Sequence, residues 1–184
     1  MYEIDYVFDE MSLFHIEELF DISILSSPPN SVASSNKLTQ ENLKQTGRRK
    51  LGELNYGAQI PAALLMQDTK WTLPSAEVNF MLNDLKKKYG ENTSLISWYF
   101  LKYTTGSFVR EHMHNLFPTS WSTITMLSEP DEYTGGELVI HTRNNEEEII
   151  LEKGQTIRID WDIIHSVREV KSGERTVSYT HLTL

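Results

Sequence analysis

Three histidines and their spacing carry the chemistry of this chain. His112 and His114 stand two residues apart at the end of the run from Tyr103 to His114, and His165 follows about half a hundred residues later. Residues 100 to 113 are rich in β-branched and aromatic side chains and are interrupted only by Thr104-Thr105-Gly106, which predicts strand, turn, strand. Side chains alternate faces along a strand, so His112 and His114 point one way while Glu111 and Met113 point the other. His165 follows the alternating apolar run Ile157, Ile159, Trp161, a second strand of the same sheet system. Two imidazoles at i and i+2 and a third from a distant strand can meet one ion and leave positions open for water or substrate. The His-x-His pair alone says little, because six histidines in 184 residues produce one by chance roughly one time in five. Its context has to carry the argument.

That context is an ordered set of motifs. Tyr103-x2-Gly106-x5-His112-x-His114 is followed by Tyr133-x-Gly135-Gly136-Glu137-Leu138 and then by His165-x9-Arg175. Over residues 95 to 182 this pattern resembles the iron(II)/2-oxoglutarate dioxygenases of the prolyl 4-hydroxylase type. The resemblance implies that His112 and His165 bind Fe(II), that Arg175 pairs with the far carboxylate of 2-oxoglutarate, and that Tyr103 hydrogen-bonds this co-substrate. It implies hydroxylation of a C–H bond, with a peptidyl proline as the leading substrate and free amino acids, small metabolites or a nucleobase behind it. A guanidinium suits the co-substrate because it offers a permanently charged, bidentate fork.

One position departs from the family. Its middle ligand is usually Asp, and here it is His114, so the site carries one negative charge fewer. Three arrangements stay open: His114 is a true third ligand, it is a bystander beside a water, or a carboxylate such as Asp162 substitutes. Asp162 is also placed to orient an imidazole from behind. A three-His zinc hydratase or hydrolase is the rival enzyme, and a non-catalytic cupin-like binding protein is the rival outside catalysis. For Arg175 the plain alternative is a salt bridge with Glu174 or Glu169.

The elements that must position these residues are mostly strands. From residue 95 onward, short strands and turn residues alternate as in a jelly roll, predicting a mainly β protein with flanking α-helices, a double-stranded β-helix of cupin type. The expected division is one dioxygenase-like domain over 1–184, with 95–184 as the core and 1–94 supplying an N-terminal strand, helices and a lid loop. Tyr2, Ile4, Tyr6 and Phe8 alternate as a strand, and Ser12 offers an N-cap to a short helix bearing Leu13, Ile16, Leu19 and Phe20. Residues 26 to 54 shift to Ser, Pro, Asn, Gln and Lys. They read as a solvated loop or a flap over the substrate, with Arg48, Arg49 and Lys50 as contacts for an acidic one. Residues 58 to 66 suit either a short helix or a buried extended segment. Pro74 opens a helix with Val78, Met81, Leu82, Leu85 and Tyr89 on one stripe and Gly90 at its C′ position. His15 reads as a surface or boundary residue, His141 as a surface residue, and His181 as core or as support for the site.

Composition narrows the classes further. A net charge of −9 and pI near 5.1 argue against a broad nucleic-acid or anionic-membrane surface. The absence of cysteine excludes disulfides, thiolate metal sites and a Cys nucleophile. The acidic start Met-Tyr-Glu-Ile-Asp-Tyr and the lack of a long apolar run predict a soluble, cytoplasmic protein without signal peptide or membrane span.

Overall fold

A computed structural model describes residues 1–26, 58–61, 66–67, 70–71, 79–114 and 118–184. In chain order these form β1 (Tyr2–Asp5), α1 (Glu10–Ser26), β2 (Ala58–Pro61), β3 (Met66–Gln67), β4 (Lys70–Trp71), α2 (Asn79–Tyr89), β5 (Ser94–Thr104), β6 (Val109–His112), β7 (Ser120–Met126), β8 (Tyr133–Gly135), β9 (Leu138–His141), β10 (Glu146–Ile149), β11 (Thr156–Asp160), β12 (Ile164–Val167) and β13 (Val170–Thr183). The major sheet runs β1-β11-β7-β13-β5-β2, with β8 also paired to β13, and the minor sheet runs β10-β9-β12-β6. All the pairings are antiparallel, and the 14-residue β13 is the spine, bonding β5, β7 and β8. This is the expected double-stranded β-helix.

The two sheets share one interior. Tyr103, Ile124, Met126, Ile157, Val177 and Tyr179 of the major sheet pack with Val109, Leu138, Ile140 and Val167 of the minor sheet. The outer face of the major sheet is covered by the helices: Ile16, Leu19, Met81 and Leu85 bury against Trp98, Phe100, Trp121 and Leu182. Each such side chain contributes about 1.5–3 kcal/mol by leaving water, so the helices are fastened by their apolar stripes. Strand β7 is buried along its whole length because both its faces are covered. Its outward threonines satisfy their hydroxyls across the sheet, Thr123 to Thr180 at 2.5 Å and Thr125 to Thr156 at 2.8 Å. Among the described residues no helix is long and apolar enough to cross a membrane.

Several local expectations change. The cap of α1 is Asp9, whose Oδ1 accepts the Ser12 backbone N–H at 2.8 Å, and that bond holds the Asp9 carboxyl below the usual carboxylate range. Ser12 therefore lies inside the helix, where its hydroxyl donates to the buried Asp84 of α2 at 2.5 Å, an inter-helix tie. The helix also runs on to Ser26. Residues 58–61 are extended, on the edge beside β5. Strand β10 runs from Glu146 to Ile149, with its glutamates exposed. Gly90 does end α2, at φ +111°, its N–H donating to the Lys86 carbonyl. Of the loop or flap expected over 26–54, Ser26 belongs to α1; residues 27–54, with Arg48, Arg49 and Lys50, and the predicted helix start at Pro74 lie outside the described residues.

Candidate metal centre

His112 and His165 are direct partners across the β6–β12 ladder. Each is locked by the same local bond: His112 Nδ1–H donates to the Arg110 carbonyl and His165 Nδ1–H to the Ile163 carbonyl, both at 2.9 Å. A carbonyl can only accept, so both rings carry their proton on Nδ1 and keep the Nε2 lone pair free for an ion. His114, just past the end of β6, brings its Nε2 to 3.2 Å from His112 Nε2. One ligand atom from each of the three rings lies within 4.8 Å of the others. Burial holds all three of His114, His165 and the neighbouring His181 neutral, pushing His114 down to about 2 and the other two to about 4, with the nearby imidazoles adding to the effect. Neutral, converging imidazoles are what a divalent ion requires. Among the described residues no carboxylate joins this trio.

The surroundings of His114 were not foreseen. Ser122 Oγ lies 2.9 Å from His114 Nδ1 and 3.0 Å from His181 Nδ1, and Tyr179 Oη lies 2.8 Å from His114 Nε2. Ser122 and His181 are opposite one another in the β7–β13 register. The available signal was the period-two column Arg175, Val177, Tyr179, His181, which puts all four on the barrel side of β13. Ser122 has no such mark in the sequence.

Arg175 lies deeper along that column, 1% exposed, and opposite Tyr103 on β5. Its guanidinium sits over the Tyr103 ring, 5.1 Å from the centroid, while Nε and Nη1 have no hydrogen-bond partner among the described residues. Burial raises the Tyr103 phenol above its usual range, against the opposing pull of the Arg175 charge and hydrogen bond. The salt-bridge alternative fails: Glu174 pairs with Lys102 at 2.7 Å and Glu169 is exposed. Room for the arginine comes from Gly136, where an added Cβ would meet Val170 Cγ2 at 2.9 Å and Arg175 Cδ at 3.0 Å. A cleft of about 270 Å³, bounded by Met126, Tyr133, Gly136, Ile149, Leu151 and Arg175, opens beside it. A buried cation with unfilled donors is costly unless an anion completes it.

Asp162 is exposed, and the group that orients His165 is the Ile163 carbonyl, which corrects the role expected of Asp162. His141 is half-buried on the outer side of the minor sheet, bonded to Ser166 at 2.8 Å and near Glu146 at 3.5 Å, with Glu111 also close. It is thus less isolated than its spacing suggested. His15, with its ring 5.2 Å from that of Phe80, is a boundary residue as expected.

The fold is shared with solved structures, oxygenases among them. A 2OG-Fe(II) oxygenase family oxidoreductase from Burkholderia pseudomallei superposes with a TM-score of 0.63 at 14% identity, over 99% of this chain and 85% of that one. The viral collagen prolyl hydroxylase of Paramecium bursaria Chlorella virus-1 gives 0.59 at 14% identity, over 99% and 94%. At the sequence level the relatives include PKHD-type hydroxylases of Prochlorococcus marinus. That of strain MIT 9515 is 28% identical over 90% of this chain and 72% of its own length, and that of strain NATL1A is 30% identical over 77% and 67%. The chain belongs to the PKHD-type hydroxylases. No family model matches it.

Proposed function

We propose that the chain is an Fe(II)- and 2-oxoglutarate-dependent hydroxylase whose metal is held by His112, His114 and His165 and whose co-substrate docks on Arg175 and Tyr103. The observation that carries this reading is Arg175: a fully buried guanidinium with two donor nitrogens unfilled among the described residues, in the same barrel as three converging imidazoles. Iron with 2-oxoglutarate and dioxygen supplies the oxidising power for C–H hydroxylation, yielding succinate and carbon dioxide. The protein's own residues do the rest. His112 and His165, fixed by backbone carbonyls, present preset lone pairs, so little rearrangement is spent on metal capture. Arg175 binds the far carboxylate and thereby sets how the other end of the co-substrate faces the histidines. Tyr103, packed against the guanidinium, holds it in place and offers its hydroxyl to the same anion. The apolar walls, Ile124, Val177 and Ile140, exclude water from the reacting centre.

A peptidyl proline is the substrate class we assign, on the likeness to the viral collagen prolyl hydroxylase, and residues 1–184 are read as one dioxygenase-like domain. The test is incubation with Fe(II), 2-oxoglutarate, dioxygen and proline-containing peptides, following succinate and peptide mass together. Succinate formed in step with gain of one oxygen atom by a peptide supports the assignment. Succinate without peptide oxidation moves the substrate to small molecules. No succinate under any condition removes the hydroxylase mechanism and leaves the three-His zinc enzyme, a reading that gives Arg175 no task.

A further inference from the structure

The outer face of the minor sheet carries a second convergence of metal-ligating side chains. Glu111 of β6, His141 of β9 and Glu146 of β10 bring one ligand atom each to within 4.8 Å of one another. Glu111 and His112 are neighbours on one strand, and side chains alternate faces, so this group lies on the opposite side of the sheet from the inner trio. Strands β6 and β10 are the two edges of the sheet, with β9 and β12 between them. Two glutamates therefore lean inward from opposite edges toward one imidazole, although both are exposed and have water to turn into. Like charges held this close repel, and a cation between them reverses the sign.

The imidazole is set for such an ion. Ser166 Oγ of β12 lies 2.8 Å from His141 Nε2, and Glu146 Oε1 lies 3.5 Å from His141 Nδ1. With Nε2–H donated to the serine, Nδ1 turns its lone pair toward the carboxylate, so two acceptors face each other. Their separation is long for a hydrogen bond, but a nitrogen and an oxygen bound at about 2.0–2.1 Å to one tetrahedral ion stand about 3.4 Å apart. The other oxygen of Glu146, Oε2, faces Arg168 at 3.6 Å, and that arginine has a closer partner in Glu148 at 2.6 Å. Oε1 is thus left to the histidine side. A cleft of about 750 Å³ over the group, bordered by residues 142–145, Asp162 and Ile164, gives an ion access from solvent.

We propose that Glu111, His141 and Glu146 form a second metal site on the outer face of the minor sheet, with Ser166 orienting the imidazole. One nitrogen and two carboxylates suit a divalent transition ion such as zinc, whereas calcium and magnesium favour all-oxygen shells. Water completes the coordination, because only three side chains converge. A bound ion ties both edge strands of the sheet to its middle, beside the strands that carry His112 and His165. The site stands whether or not the inner trio holds iron.

The probe is zinc alone, with whole protein freed of metal by chelator and dialysed against micromolar free zinc. Zinc per chain is counted by atomic emission. Wild type is expected to retain one more zinc per chain than Glu146→Gln or His141→Ala. Glu146 is exposed, so its amide variant keeps the fold if His141→Ala does not. Glu148→Gln, the same charge change on the same strand, is expected to keep the wild-type count, and excess calcium should not displace the ion. The Glu146-dependent zinc should persist in His112→Ala, and there it should raise Tm, an increase absent once Glu146→Gln is added. Equal zinc in wild type, Glu146→Gln and His141→Ala would overturn the site and leave an ordinary His–Glu ion pair. An equal loss in Glu148→Gln, or displacement by calcium, would reduce it to diffuse acidic binding and overturn it as well. Disappearance of the Glu146-dependent zinc in His112→Ala would show that there is no separate outer site.

Discussion

His112 and His165 face each other across one ladder, and each donates its Nδ1–H to the carbonyl two residues before it, at the same 2.9 Å. This symmetric lock fixes two of three ligand lone pairs before any metal arrives. Replacing either residue by Ala should lower Fe(II) or Zn(II) affinity by at least about 100-fold, with the fold retained because the barrel core lies elsewhere. Metal titration with circular dichroism on the same samples checks it; unchanged affinity in either variant would contradict the centre.

Arg175 makes a less ordinary prediction. It is buried without a carboxylate partner, so its charge is a cost in the protein alone and a gain only with an anion bound. Arg175→Met should leave Tm equal or higher while weakening 2-oxoglutarate binding about 100-fold or more. Arg175→Lys should recover only part of the affinity, since an ammonium cannot form the planar fork. A large fall in Tm for Arg175→Met would mean that the guanidinium is a structural strut.

Gly136 holds φ at +72° and has no room for a Cβ, with Val170 and Arg175 in the way. Gly136→Ala should cost about 1–2 kcal/mol from the backbone alone. It should also raise KM for 2-oxoglutarate more than it lowers kcat, because the displaced group is the proposed anion anchor. Thermal melts and steady-state kinetics separate the two effects.

The buried imidazoles set a pH dependence for the metal-free protein. His165 and His181 fall to about 4 and His114 to about 2 in the folded chain, against an ordinary value near 6.5. The unfolded chain therefore binds more protons below pH 6.5, and stability should be complete above that pH and decline as pH falls from about 6.5 toward 4. Chemical denaturation at pH 7.5, 6 and 5 should show this loss. A metal-loaded sample should resist it until protons compete the ion away. Stability that is flat across this window would contradict neutral burial of the trio.

Much of the site was legible because it obeys strand periodicity. The i, i+2 pair of histidines follows from side chains alternating faces, a local rule, whereas Arg175 is marked only by its spacing after His165 in the family resemblance. What escaped depends on tertiary placement. Asp162 looked like the partner of an imidazole, but a carbonyl two residues back was nearer in geometry and left no mark in the side-chain sequence. Ser122 is one small polar residue in a strand of Ser, Thr and Ile, and its contacts with His114 and His181 appear only when β13 lays His181 opposite it. Asp9 outcompeted Ser12 as the cap because the hydroxyl was drawn to Asp84 on the other helix. Strand β10 begins in a run of glutamates of poor strand propensity, which an exposed edge tolerates.

The central claim is that three histidines and one buried arginine together hold Fe(II) and 2-oxoglutarate. Anaerobic titration of the metal-free protein with Fe(II) and then 2-oxoglutarate tests it most directly, through the charge-transfer absorption of a keto acid chelated to ferrous iron. The account predicts a band in the wild type that vanishes in His112→Ala and is shifted to far higher 2-oxoglutarate concentration in Arg175→Met. No band in the wild type at saturating iron and co-substrate, or a band indifferent to Arg175, would contradict it.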